Sequence, residues 1–131
     1  MAEIVEAFKN IVGEANVLTK EMDTAYYRSG FRCGFGGAKA VVFPSTLVEQ
    51  WKVLQVAVDA GCAIIMQAAK TGLTGGSSPS GFDYDRDVVI INVSRLRGLH
   101  LLREGAQAVA FPGTTLFELS KELKKIDRVP H

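Results

Sequence analysis

Long hydrophobic runs are missing from this chain, and no apolar stretch comes near the roughly eighteen residues that a membrane span requires. Cysteine is scarce. Cys33 and Cys62 are the two present; their spacing fits no metal-ligand pattern, and they read as free thiols in a reducing compartment, Cys62 as a small hydrophobe in an apolar segment. Neither sign of charge is in excess: 15 Lys and Arg against 14 Asp and Glu leave a net charge of +1. That balance excludes a general electrostatic pull toward nucleic acid or acidic lipid. A signal-like start is lacking too, because Met1-Ala2-Glu3 leads into an amphipathic segment. What is present is globular in character, with 47% hydrophobic and 22% charged residues. A chain of 131 residues is one domain at most and buries about two thirds of its extended-chain surface. The expectation is a soluble, cytoplasmic chain whose binding depends on specific sites.

The stretch from Met66 to Pro79 is the strongest candidate for such a site. The apolar run Ala63-Ile64-Ile65-Met66 gives way to Gln67-Ala68-Ala69-Lys70-Thr71-Gly72-Leu73-Thr74-Gly75-Gly76-Ser77-Ser78-Pro79. Glycine permits positive φ, so successive N–H groups can form a concave nest for an anion. Thr71, Thr74, Ser77 and Ser78 add hydroxyl donors without filling the space. A diphosphate is the natural guest; the other reading is an ordinary loop that is polar because it is exposed. Two standard phosphate motifs are excluded. Lys70 precedes the glycines, whereas a P-loop lysine follows them. The spacing of Gly72, Gly75 and Gly76 is not that of a dinucleotide fingerprint.

The rest of the chain alternates helical and extended patterns. Ile4, Phe8, Ile11 and Val12 recur at helical spacing until Gly13. Leu18 to Arg28 reads as a connection with a short helical turn over Glu21-Met22-Asp23; Tyr26-Tyr27-Arg28 is either a site element or, the preferred reading for the two tyrosines, packing against the domain. Gly30 to Gly37 either lines a ligand or links elements, the linker being preferred. Ala40 to Phe43 is a short buried strand closed by Pro44; Thr46 and Glu49 form a capping box, and Leu47, Trp51, Leu54 and Val58 an apolar helix face ending at Gly61. Asp87 to Asn92 is a buried strand. Leu99 to Arg103 and Gln107 to Phe111 form a hairpin around Glu104-Gly105. After Pro112-Gly113, Thr115 and Glu118 cap a last helix whose core face is Leu116, Leu119, Leu123 and Ile126. This order indicates an α+β domain, a small mixed sheet flanked by helices, with the Gly-rich loop leaving the end of a core strand.

Taken together, the Pro-terminated strand, the Thr71-Gly72-Leu73-Thr74-Gly75-Gly76-Ser77 loop, Asp87-Val88-Val89-Ile90-Ile91-Asn92 and Gln107-Ala108-Val109-Ala110-Phe111-Pro112-Gly113-Thr114-Thr115-Leu116 resemble the FAD-binding domain of the vanillyl-alcohol oxidase and p-cresol methylhydroxylase superfamily. Within it the chain is similar to the respiratory, quinone-dependent D-lactate dehydrogenases. Most of the superfamily has a Gly-x-Gly-Thr core in the phosphate loop, whereas Ala68-Ala69-Lys70-Thr71-Gly72 follows the D-lactate group. Tyr27 to Arg32, Asp83 to Asp87 and Arg128-Val129-Pro130-His131 also resemble that group.

The resemblance implies that residues 1–131 are the first lobe of a PCMH-type FAD-binding domain, without the second lobe, substrate cap and membrane-associated region of the family. It further implies that Ala68, Ala69, Lys70, Thr71, Gly72, Gly76 and Ser77 lie along FAD, mainly through backbone N–H groups on its pyrophosphate. Lys70 replaces a usual asparagine, and Gly75 a usual acidic residue; Lys70 either pairs with a phosphate or, the preferred reading, points to solvent. The implied parent oxidises D-lactate to pyruvate, passes electrons to a quinone and sits peripherally on the cytoplasmic face of the bacterial inner membrane. The 131-residue piece alone is expected to be inactive and to self-associate through apolar surface left uncovered. No catalytic residue is carried over. Two alternatives stand: a piece of another FAD-dependent 2-hydroxy acid oxidase, such as a glycolate oxidase subunit, and a stand-alone diphosphate-binding module without catalysis.

Overall fold

The computed structural model describes residues 2–130, the side chain of Ala2 excepted; His131, the end of the Arg128-to-His131 motif, lies outside them. Helix α1 (Ala2–Val12) buries Ile4, Phe8 and Val12 and stops at Gly13, which adopts φ 93° while its amide donates to Lys9 O at 2.8 Å. A two-residue strand β1 (Val17–Leu18), a one-turn helix α2 (Glu21–Thr24), strand β2 (Ala40–Val42), helix α3 (Leu47–Asp59) and strand β3 (Ala63–Gln67) follow. Strand β4 (Val88–Asn92), the hairpin β5 (Leu99–Leu102) and β6 (Gln107–Ala110), and helix α4 (Leu116–Lys124) complete the chain. β1 was not expected from sequence, since two residues carry too little alternation to register as a strand.

The main sheet has the order β1-β2-β4-β3. β2, β4 and β3 are mutually parallel and β1 is antiparallel to β2. Side-chain alternation divides its two faces. Ala40, Val42, Val89 and Ile91 join Phe8, Val12, Val53 and Ala57 in the core beneath α1 and α3, whereas Val41, Phe43 and Ile90 face the other way, toward Tyr27 and Ala38. All of β4 is buried, and each fully buried Val or Ile contributes about 1.5–3 kcal/mol. β3, from which the Gly-rich loop leaves, is the edge strand of this sheet and is only partly buried until Gln67.

The two later helices correct the sequence reading. In α3 the buried residues are Val53 and Ala57, while Leu47, Trp51, Leu54 and Val58 are 49%, 61%, 38% and 59% exposed. α3 carries two apolar stripes, and the one with small and β-branched side chains is the one that packs against the sheet. In α4 only Leu123 is buried; Leu116 and Ile126 are exposed and Leu119 is half-buried. The hairpin beside α4 is a separate two-stranded sheet, β6 is exposed throughout, and no broad surface is there to receive a whole helix face. The caps differ as well. Thr46 accepts the amide of Glu49, but among the described residues Glu49 returns no bond, so this is half a box. Thr115 and Glu118 form the complete one, with Thr115 N donating to Glu118 Oε2 at 2.7 Å and Glu118 N to Thr115 Oγ1 at 3.2 Å.

The Glu118 carboxyl is held below the usual carboxylate range by the Thr115 amide, and by the Arg97 guanidinium to a lesser extent. A folded-state pKa below the unfolded one gives stability that is present above the ordinary glutamate range and lost as pH falls through the folded value. We therefore predict that the stability gap between the wild type and Glu118→Gln, read by urea unfolding, is present at pH 7 and narrows as the pH is lowered below the ordinary glutamate pKa of roughly 4.3. A gap that stays constant across this range would contradict an ionised cap.

Candidate functional site

Because β2, β4 and β3 run parallel, their carboxyl ends share one edge of the sheet, the edge at which open sheets present ligands. The loop 68–79 leaves the end of β3 there. Gln67 and Asn92 are register partners at the ends of β3 and β4. Strand parity puts them on the same face as Ile65 and Ile90, toward Tyr27. Both are buried. Gln67 Nε2 donates to Tyr27 O at 2.8 Å and Ser77 O at 2.7 Å, and Asn92 Nδ2 donates to Gln67 Oε1 at 2.9 Å. The sequence reading passed over both residues. Their signal was two amide side chains at the ends of two apolar strands, in phase with the inward-facing isoleucines.

The loop backbone is open. Among the described residues, the amides from Ala69 to Ser77 donate to no protein acceptor; the loop's one internal backbone bond runs from Ser78 N to Gly75 O at 3.3 Å. Gly75 has φ 76° and Lys70 φ 57°, so the chain reverses twice through the left-handed region. Gly72 and Gly76 need no such φ, and a Cβ on either would meet nothing within 4 Å. Neither the fold nor the packing of this chain demands glycine at these two positions. The hydroxyls of Thr71, Thr74 and Ser77 are likewise uncommitted among the described residues, but Ser78 is buried and its Oγ donates to Gly75 O at 3.3 Å, which removes it from the expected set of free donors.

The segment from Gly30 to Gly37 is a packed wall, not a linker. A Cβ on Gly34 would lie 2.3 Å from Ser78 Oγ, and one on Gly36 would lie 2.3 Å from Gly81 O. Gly37 N donates to Gly81 O at 3.0 Å and Gly81 N to Phe35 O at 2.9 Å. Arg28, 2% exposed, anchors this wall by donating to Thr24 Oγ1 at 3.0 Å, Gly36 O at 2.9 Å and Glu21 Oε1 at 2.7 Å. Composition could not separate the two readings, because close packing and flexibility both select glycine. Tyr27 packs edge-on against Phe43 at 5.0 Å between ring centroids as expected, whereas Tyr26 is 68% exposed.

Lys70 takes neither of its expected positions. Its Nζ donates to the carbonyls of Tyr26 and Ser29 and lies 3.5 Å from the Tyr26 ring centroid, with burial pushing its pKa down. It fastens the loop to the neighbouring segment and leaves its own backbone amide free. The start of the loop thus forms a ridge between two clefts. One of about 510 Å³ lies between Ala69-Lys70-Thr71 and Tyr26, Ser29, Gly30 and Phe31. The other, about 490 Å³, lies between Ala68, Ala69 and Thr71 and a wall of Ser94, Arg97 and residues 112–117. Gly113 permits this second wall, since a Cβ there would sit 2.6 Å from the carbonyls of Val93 and Ser94. In the sequence Pro112-Gly113 read only as a strand stop.

The chemistry on offer is binding. The loop offers uncommitted amides and hydroxyls, and among the described residues no His, Cys, Asp or Glu cluster could hold a metal. Cys33 and Cys62 are free, and Cys62 is held un-ionised by burial, with Asp87 nearby adding to the effect.

Three comparisons bear on this geometry. The FAD binding domain family matches residues 38–130. The quinone-dependent D-lactate dehydrogenase of Escherichia coli (strain K12) is 56% identical over 121 residues, covering 92% of this chain and 21% of that protein. The chain therefore spans about a fifth of the curated relative's length. Among solved structures, an alkyldihydroxyacetonephosphate synthase superposes with a TM-score of 0.80 at 19% identity, covering 95% of this chain and 25% of that one. p-Cresol methylhydroxylase superposes with a TM-score of 0.70 at 17% identity, covering 95% and 24%. The fold is thus that of the p-cresol methylhydroxylase type, a small mixed sheet flanked by helices. The FAD of this family fits what the loop offers, open amides and two glycines facing free space, and the chain belongs to the FAD binding domain family.

Proposed function

We propose that residues 1–131 form the diphosphate-binding first lobe of the FAD domain of a quinone-dependent D-lactate dehydrogenase. In this reading the whole protein oxidises D-lactate to pyruvate and delivers the electrons to a membrane quinone. The bound flavin supplies the two-electron acceptor. The chain's own residues bind and orient it. Ala68, Ala69, Lys70, Thr71, Gly72, Gly76 and Ser77 lie along the FAD pyrophosphate, with backbone N–H groups as the main donors, Thr71 and Ser77 hydroxyls as further ones, and Lys70 contributing its amide alone. No residue of this lobe takes or gives a proton on the substrate. The second lobe and the substrate cap belong to the rest of the protein. In this reading attachment to the cytoplasmic face of the membrane also belongs to the rest of the protein; no helix among the described residues is long and apolar enough to cross a membrane.

The observation that carries this reading is the run of unsatisfied amides from Ala69 to Ser77, beside two glycines that nothing in the chain requires. Titration of the wild type, Gly72→Ala and Gly76→Ala with FAD, ADP and D-lactate, followed by flavin fluorescence and calorimetry, tests it. FAD and ADP are expected to bind and lactate alone not to. Each alanine variant is expected to unfold within about 1 kcal/mol of the wild type, yet to bind FAD at least about tenfold more weakly, the loss associated with one hydrogen bond to a charged group. Undiminished binding by both variants would contradict the assignment, and ADP binding with no gain from the flavin would favour a stand-alone nucleotide module.

The exposed stripe of Leu47, Trp51, Leu54 and Val58 supports the proposal that the isolated lobe self-associates through α3. Light scattering of the 131-residue chain is expected to show dimers that dissociate in Trp51→Glu. A strictly monomeric wild type would contradict it.

A further inference from the structure

We infer that Gln67, braced by Asn92, is the positioning residue that sets the shape of the diphosphate loop before any anion arrives; this rests on the reading of the loop given under Proposed function. The argument starts from what the loop lacks. Between Ala69 and Ser77 it has no helix, no ladder and no amide donating to a protein acceptor, so its interior cannot hold its own form. Its form is imposed by its neighbours: Lys70 Nζ ties the first turn to Ser29 O at 3.0 Å, Cys33 Sγ donates to Leu73 O at 3.7 Å, and Gln67 closes the ends. The Gln67 side chain, 1% exposed, donates one Nε2 hydrogen to Ser77 O at 2.7 Å and so closes the loop on the strand residue that precedes it. The second hydrogen goes to Tyr27 O at 2.8 Å and ties that closure to the neighbouring wall. Oε1 accepts from Asn92 Nδ2 at 2.9 Å. Asn92 Nδ2 also reaches Ala68 O at 3.4 Å, and Asn92 Oδ1 accepts from Ser94 N at 3.1 Å.

The position therefore demands a neutral side chain with two donors and one acceptor. Glutamine is the side chain that meets this demand at that length. Leucine or methionine would leave the carbonyls of Tyr27 and Ser77 without donors. Glutamate would set a carboxylate against those two carbonyl oxygens and place a negative charge beneath an anion site. When protonated, the same glutamate would regain one donor and lose its charge.

This gives a pH signature that loss of packing does not share. The residues bonded to Gln67 and Asn92, namely Tyr27, Ala68, Ser77 and Ser94, carry no carboxylate or imidazole, and the charged side chain of the loop, Lys70, is occupied by the carbonyls of Tyr26 and Ser29. The test is FAD affinity of the wild type and Gln67→Glu at pH 8.5 and 5.5, together with the rate of tryptic cleavage after Lys70 at pH 8.5. Gln67→Glu is expected to bind at least about tenfold more weakly than the wild type at pH 8.5 and to recover most of that loss at pH 5.5, where a buried carboxyl is largely protonated. Cleavage after Lys70 is expected to be several-fold faster in the variant. A deficit that does not change with pH, or wild-type affinity at pH 8.5, would overturn the inference. If the wild type binds no FAD at either pH, the functional reading fails, and the positioning role is then judged by proteolysis alone: equal cleavage rates would overturn it. Should Gln67→Glu not fold, Gln67→Met carries the comparison, and wild-type FAD affinity with wild-type cleavage in that variant would overturn it equally.

Discussion

A backbone N–H that folding leaves without an acceptor must be met by water or by a ligand, and in this chain a whole loop is built so that its amides stay unmet. The residues from Ala69 to Ser77 lie at the carboxyl edge of three parallel strands, with no internal ladder to consume their donors. Everything around them is arranged for rigidity. The Gln67–Asn92 pair closes the loop, Lys70 fastens its first turn to Tyr26 and Ser29, and the Gly30–Gly37 wall is drawn against Ser78 and Gly81 by glycines whose replacement would collide with those residues. Arg28, buried with its donors engaged, anchors that wall in turn. A flexible loop with the same donors would surrender binding energy to its own ordering. A held one does not.

The sheet and the loop were legible in the sequence because both leave local marks. Four consecutive β-branched residues at Val88 to Ile91 can hardly be other than a buried strand, and Gly72, Gly75 and Gly76 after an apolar run announce a loop that something approaches closely. What local pattern cannot supply is the neighbour. Leu47, Trp51, Leu54 and Val58 have the spacing of a core face, yet the core took Val53 and Ala57, because which of two apolar stripes is buried depends on the surface α3 meets. α4 failed in the same way: its Leu116 and Ile126 stripe has only a two-stranded hairpin beside it.

At the site the misses were of a second kind, in which one residue type serves opposite ends. Glycines between Gly30 and Gly37 suit a slack tether and a tight wall equally, and only the positions of Ser78 and Gly81 decide. Gln67 looked like the first polar residue of a loop, while it is the last inward-facing residue of a strand. Lys70 was weighed between phosphate and solvent and found a third partner, two backbone carbonyls, which sequence alone has no means of presenting. The resemblance to an FAD-binding family singles out the loop without revealing any of the devices that hold it.

The most direct measurement is a titration of the isotopically labelled chain with ADP, which carries the diphosphate without the flavin, followed by amide proton and nitrogen chemical shifts residue by residue. The account predicts that the largest shifts fall on the amides from Ala69 to Ser77, with Gly72 and Gly76 among them, while the strand amides of β2 and β4 stay in place. Saturable binding that moves amides elsewhere and leaves those of the loop unchanged would contradict it.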